Sequence, residues 1–354
     1  MNQDVIIVGG GIIGASIALH LAGVGRKVLV IDAALPGAGA SGRSFGWVNA
    51  SFYHDQDHHR LRAASMRLWQ DLLAQMPSAH AQFSGALVWD MPQEAQGRMA
   101  QELSAQDYPV KQLRRAQIAD MVPDLGPKPD EALFLPDEGA VDAGQVTLAW
   151  LAASGARVLS GLTVTGLLHK AGRVVGVETQ NGPIRAATIV VAAGAATEAL
   201  LATAGLSLPM LRRPGLLLAT RPVRACTPYV LVPPFGEVRQ DGAGRIIAST
   251  VAGHQGDATE YVSGSPEAHG LRTLEALHGL FPGLDLEMES VSQALRPVPQ
   301  DGLPAVGAFG PDGLYVATLH SGVTLAPIIG KLLALEIQGQ PQQAWLAPYR
   351  PDRF

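Results

Sequence analysis

Residues 4–32, DVIIVGGGIIGASIALHLAGVGRKVLVID, constrain the fold more than any other stretch. Residues 4–8 read as a short buried strand, and three consecutive glycines then break it. The following small and apolar residues suit a buried helix ending near Gly25. A second apolar strand closes the segment at Asp32. Strand, turn, helix and strand over some thirty residues make a βαβ unit, whose right-handed crossover sets the two strands parallel. Residues 5–25 carry no formal charge and are long enough to suggest a membrane span. The glycine break argues against a span, and the leading MNQD lacks the basic region of a signal peptide.

The turn itself has the spacing Gly9-x-Gly11-x-x-Gly14. Glycines there permit a tight turn and let backbone approach a pyrophosphate, while the next helix offers unpaired N–H groups at its positive end. Asp32, eighteen residues beyond Gly14, stands where a carboxylate accepts hydrogen bonds from ribose hydroxyls. Together these features predict a dinucleotide site. They fit NAD and the ADP half of FAD equally.

At 354 residues the chain is long enough for two domains. Its 47% hydrophobic and 16% charged content excludes disorder. Two later segments repeat the strand, small-residue turn and helix: AATIVVAAGAAT near 193–197, and GLYVATLHSG near 319–324. We expect all three turns to share one sheet. Strand-rich stretches separate them, so the domains are expected to interleave. Residues 1–84, 141–209 and 299–354 form one, and residues 85–140 and 210–298 the other. Helices are expected near 57–76, 93–106, 144–156 and 266–280, and residues 33–53 as an irregular Gly/Ser/Ala-rich loop.

A net charge of −5 with no basic stripe argues against nucleic acid. The single cysteine, Cys226, excludes a disulfide framework and reads as a buried neutral thiol. The HDQDHH run at 54–59 lacks clear ligand spacing, so no metal site is expected.

Four blocks in order, DVIIVGGGIIGASIALHLA, GAGASGRSFGWVNA, TIVVAAGAAT and LRPVPQDGLPAVGAFGPDGLYVATLHSGVTLAP, give the chain its strongest resemblance. Over nearly its whole length it resembles the D-amino-acid oxidase superfamily of flavoproteins, which includes glycine oxidase, sarcosine oxidase and D-amino-acid dehydrogenases. The resemblance implies an α/β (α+β) fold, a Rossmann-like FAD-binding domain interleaved with an antiparallel-sheet substrate domain. It assigns Gly9, Gly11, Ile13, Gly14, Asp32 and Ala33 to the ADP moiety. Ser41, Arg43, Ser44 and Gly46 fall in the loop that passes pyrophosphate and flavin. On its residues alone Arg43 reads as a solvated loop charge. Val164 corresponds to a position whose backbone meets the adenine, and Ala193 and Gly194 to a second approach to FAD.

The last block implies that Ser321, Gly322, Val323 and Thr324 open a helix toward the flavin, where its positive end stabilises developing negative charge. Many family members have a longer, glycine-rich turn here; this chain has His320-Ser321-Gly322. His320 is a candidate neighbour of the flavin, or equally a hydrogen-bonded turn histidine. Arg296 matches the arginine that pairs with a substrate carboxylate. Tyr261 is a further candidate for the catalytic pocket, and Asn49, His54, Tyr229 and His254 for its border. The implied reaction is FAD-dependent oxidation of the C–N bond of an amino acid or small secondary amine acid, with imine hydrolysis following. Some sarcosine-oxidising members link the flavin to a cysteine; no cysteine follows residue 226, so the resemblance implies non-covalent FAD unless a histidine substitutes. The alternative is a flavoprotein subunit of a multi-subunit amine or proline-type dehydrogenase, inactive without its partner subunits. A cytoplasmic enzyme with no transmembrane segment is expected.

Overall fold

The computed structural model describes residues 3–75, 81–250 and 260–354. Five strands, Leu314–Thr318, Gly182–Val191, Gln3–Val8, Val28–Asp32 and Arg157–Ser160, lie side by side and parallel. Their Val/Ile-rich runs suit strands buried on both faces. Gly182–Val191 is long enough for two tasks. Its first residues pair antiparallel with Arg173–Thr179, and its last six pair parallel with Gln3–Val8. All three strand-to-helix turns found in the sequence therefore leave neighbouring strands of one sheet.

Small side chains let the helices on this sheet approach closely. Ser16 Oγ, in the helix Ile12–Ala22, donates to Ala326 O at 2.7 Å in the helix Gly322–Ile337. A Cβ added at Gly330 would lie 2.2 Å from Ser16 Oγ, so only glycine fits that crossing. The helix Gln56–Gln75 packs on the helix Gly322–Ile337, and its Trp69 also stacks at 5.0 Å on Trp150 of the helix Ala143–Ser154.

A second sheet runs Met288–Pro299, Met210–Pro222, Arg245–Ser249, Val238–Gln240, Val230–Val232, Ala86–Val88, Glu131–Leu135 and Lys111–Arg114. It is antiparallel except where Val230–Val232 runs parallel to Ala86–Val88. Two segments more than a hundred residues apart thus share it. A small third sheet pairs Trp47–Val48 and Ala81–Gln82 with Gly139–Val141. Residues 33–53 therefore depart from the irregular loop expected, holding a strand there and a 3-10 turn at Ser41–Arg43. The pairing partner lies ninety residues away, so no local pattern announces it. Among the described residues, no helix is long and apolar enough to cross a membrane.

Candidate active site

A cavity of about 980 Å³ lies between the two large sheets. Its first wall is the glycine turn. Gly9 has φ +111°, and a Cβ there would meet Ala192 O at 2.2 Å. A Cβ at Gly14 would lie 2.0 Å from Gly9 O, so Gly14 seats the turn without lining the cavity. Asp32 holds the turn from the next strand, accepting from Gly10 N at 2.7 Å and Ala34 N at 2.8 Å. A carboxylate has about four lone-pair sites, so capacity remains for hydroxyl donors. Ser41 Oγ accepts from Ile12 N at 2.9 Å, joining the glycine-rich loop to the first turn of the helix. Arg43 lines the cavity and donates to Ala38 O, so it is not simply a solvated loop charge.

The second wall is built by the C-terminal helix. Ser321 precedes it in the left-handed conformation, φ +56°, and supplies no side-chain cap. The backbone N–H groups of the first turn therefore keep their positive character toward the cavity. A Cβ at Gly322 would find only ordinary contact with Ile13, at 3.6 Å. Protein atoms alone thus do not demand glycine there.

The second sheet closes the site. Arg296 stands opposite Arg213 in the strand pair Met288–Pro299 and Met210–Pro222, with its stem 3.7 Å from where a Cβ on Gly215 would lie. Glu237 lines the same cavity and accepts from Ser249 Oγ at 2.5 Å. Burial pushes His320 down to about 3, and the positive charges of Arg296 and Arg62 add to the effect. At neutral pH it is an uncharged imidazole that both donates and accepts.

The cavity brings together Gly9, Gly11, Ile13, Asp32, Ala33, Ser41, Arg43, Ser44, Gly46, Val164, Ala193, Gly194, Arg296, His320, Ser321, Gly322, Val323 and Thr324, with Asn49. It leaves out Tyr261, which is 72% exposed with the Arg212 guanidinium 5.6 Å above its ring. Tyr229 packs edge-on against Phe134 and His54 lies exposed, both outside the lining. His254 lies outside the described residues. In the 54–59 run Asp55 Oδ1 accepts from His58 N at 2.8 Å, capping a helix whose His58 and His59 are buried. Burial raises the thiol of Cys226 to about 11, and Cys226 does not line the cavity.

Arg62, Glu237 and Trp47 line the cavity without having been singled out from the sequence. For Arg62 a signal was available. It lies between His58 and Ser65 on one face of the helix Gln56–Gln75, and a charge on a buried face calls for a reason.

Comparison with known proteins agrees with this geometry. The DAO family model, described as FAD dependent oxidoreductase, matches residues 4–335. Glycine oxidase of Pseudomonas putida is 28% identical over 99% of both chains. The bifunctional protein ThiO/ThiG of Trichormus variabilis is 29% identical over all of this chain, which spans 55% of that relative's length. Among solved structures, glycine oxidase of Geobacillus kaustophilus superposes with a TM-score of 0.89 at 24% identity, covering 100% of this chain and 99% of that one. L-proline dehydrogenase of P. horikoshii gives 0.86 at 23%, covering 100% and 98%. These last two likenesses speak for the fold. With the family model spanning nearly the whole chain, this protein belongs to the DAO family of FAD-dependent oxidoreductases.

Proposed function

We propose that this enzyme oxidises the C–N bond of an amino acid or a small secondary amine acid, such as an N-substituted glycine. The observation that carries the reading is one cavity wall. Arg296, Glu237 and neutral His320 gather there beside the uncapped start of the helix Gly322–Ile337. A zwitterionic amino acid needs a cation for its carboxylate and an anion or acceptor for its amine, and this wall offers both.

The residues present fit FAD. The glycines themselves put no side chain between the helix Ile12–Ala22 and the cavity, where the Ser41 hydroxyl meets Ile12 N, and Asp32 keeps acceptor capacity for a ribose. FAD, held without a covalent link, supplies the two-electron acceptor. In this reading Arg296 grips the substrate carboxylate with its planar fork and so fixes the position of the α-carbon. Glu237 faces the amine end. His320 stays neutral and adds no competing charge. The N–H groups at the start of the helix Gly322–Ile337 offer a preorganised site for negative charge that grows during the reaction. The second sheet forms the wall of the cavity opposite the glycine turn.

The division of labour follows the sheets. Residues 1–84, 141–209 and 299–354 hold FAD, and residues 85–140 and 210–298 shape the substrate side. A cytoplasmic location belongs to the same proposal, and cell fractionation checks it.

Replacing Arg296 by Leu tests the reading. KM for a carboxylate substrate should rise at least about a hundredfold, the effect of removing one partner from a desolvated charge pair. Bound FAD should remain stoichiometric. An unchanged KM removes Arg296 from the substrate site.

A further inference from the structure

We propose that Arg62 is a positioning residue of this site: it locks Asn49 against the start of the helix Gly322–Ile337 and adds a fixed positive charge to that helix end, for an anion in the cavity. The proposal rests on FAD binding and does not depend on which substrate is oxidised.

Arg62 is fully buried and lines the cavity. Its Nε donates to Asn49 O at 3.1 Å and its Nη2 to Asn49 Oδ1, while Nη1 is buried with no hydrogen-bond partner among the described residues. A buried guanidinium donor with nothing to meet it is expensive, and such groups concentrate where a ligand completes them. Arg62 keeps its charge at neutral pH, because burial brings it only to about 10.

Its surroundings aim that charge at one helix. One turn further along the same face, Ser65 Oγ donates to Thr324 O at 2.6 Å. Trp69 Nε1 donates to Val323 O at 3.1 Å. Asn49 N donates to Thr324 Oγ1 at 3.3 Å, and Thr324 Oγ1 donates to Trp47 O at 3.2 Å. Arg62, Ser65, Trp69 and Asn49 thus encase the first turn of the helix Gly322–Ile337. That turn already carries the positive end of the helix dipole. A cation buried beside it is electrostatically unfavourable in isolation, and an anion in the cavity reverses the sign.

Of the charged and titratable groups near Arg62, the histidines leave that field in place, and Glu138 is electrostatically coupled to Arg62 and offsets part of it. His58, His59 and His320 are all held toward the neutral form, chiefly by burial. Glu138, also fully buried, accepts from Trp47 Nε1 at 3.0 Å, Ser51 N at 3.2 Å and Tyr108 OH at 2.9 Å. It grips the 47–51 segment from one side while Arg62 grips Asn49 from the other. Glu237 faces the cavity from the second sheet, bonded to Ser249.

The test uses the FAD-loaded protein and two readouts that need no substrate: the reduction potential of bound FAD, and the Kd for sulfite, whose addition to the flavin places negative charge on the ring. Because Arg62→Leu alone would strand the Glu138 carboxylate, the double variant R62L/E138Q is compared with E138Q. The double variant should bind sulfite about tenfold or more weakly than E138Q, with a lower potential. R62K, which keeps the charge but gives up the two-pronged grip on Asn49, should lose no more than about threefold from wild type. N49A, which likewise keeps the charge and loses the grip, should match R62K.

Equal sulfite affinity and potential in R62L/E138Q and E138Q would overturn the proposal. So would an R62K loss as large as that of the double variant, because packing and not charge would then be responsible. If the double variant does not fold, R62K decides on the same threefold limit. Failure of the wild-type chain to bind FAD would instead sink the cofactor assignment.

Discussion

The two helix starts that open on the cavity are made differently. The start at Ile12 is a backbone device. Gly9, Gly11 and Gly14 shape it, Asp32 and Ser41 tie it through backbone N–H groups, and the whole arrangement lies within residues 9–41. The start at Gly322 is a side-chain device. Arg62 and Asn49 come from the N-terminal third, Glu237 and Arg296 from the second sheet, and His320 from the turn itself. A dinucleotide presents the same phosphates and ribose to every protein that binds it, so a fixed backbone cradle serves. In the proposed reading the start at Gly322 faces the substrate, which has to be specified, and specification uses charges delivered from several elements.

That contrast orders what substitutions should do. Gly9→Val should have the largest effect. It forces a β-branched residue to φ +111° and into Ala192 O, so flavin absorbance per protein should fall below about a tenth of wild type. Arg296→Leu should leave that absorbance intact while KM rises. A chain that loses FAD with Arg296 but keeps it with Gly9→Val would invert the comparison.

A pH effect on stability follows from the buried histidines and is smaller. Burial holds His58 at about 3, against 6.5 when exposed. Between those values the unfolded chain binds the proton more readily, so the contribution is whole above pH 6.5 and is lost as pH falls toward 3. Glu138 acts in the opposite sense. Burial raises it from 4.5 to about 7, so its contribution is present below 4.5 and lost as pH rises through 7. His58→Asn should therefore flatten the acid limb of denaturant stability measured from pH 6.5 to 4. The change should be up to one proton, about 1.4 kcal/mol per pH unit. An unaltered limb would mean that His58 titrates normally. Smallest of all, Tyr261→Phe should change kcat/KM less than about twofold, because the ring is exposed and outside the cavity.

The same contrast explains how much was legible in the sequence. The unit from Gln3 to Asp32 could be read directly, since strand, turn, helix and acid are local and their spacing is set by backbone geometry. The adjacency of the three strand-to-helix turns was also legible, because each repeats that pattern. Trp47–Val48 was not, since its partner is Gly139–Val141 and a two-residue strand has no periodicity. Arg62 and Glu237 were missed for a related reason. Their roles arise only once the helix Gln56–Gln75 and the strand Val238–Gln240 are brought to the cavity by folding. Tyr261 was drawn toward the site by residue type and nearby strand patterns, whereas the structure puts it on the surface beside Arg212.

The most direct measurement mixes the purified, FAD-loaded chain anaerobically with D-, L- and N-methyl amino acids, proline and hydroxyproline, and follows the flavin absorbance. At least one of them should bleach the flavin in the isolated chain, and Arg296→Leu should suppress the bleaching at substrate concentrations that saturate the wild type. Stoichiometric FAD that none of these compounds bleaches, with dithionite still reducing it, would contradict the account.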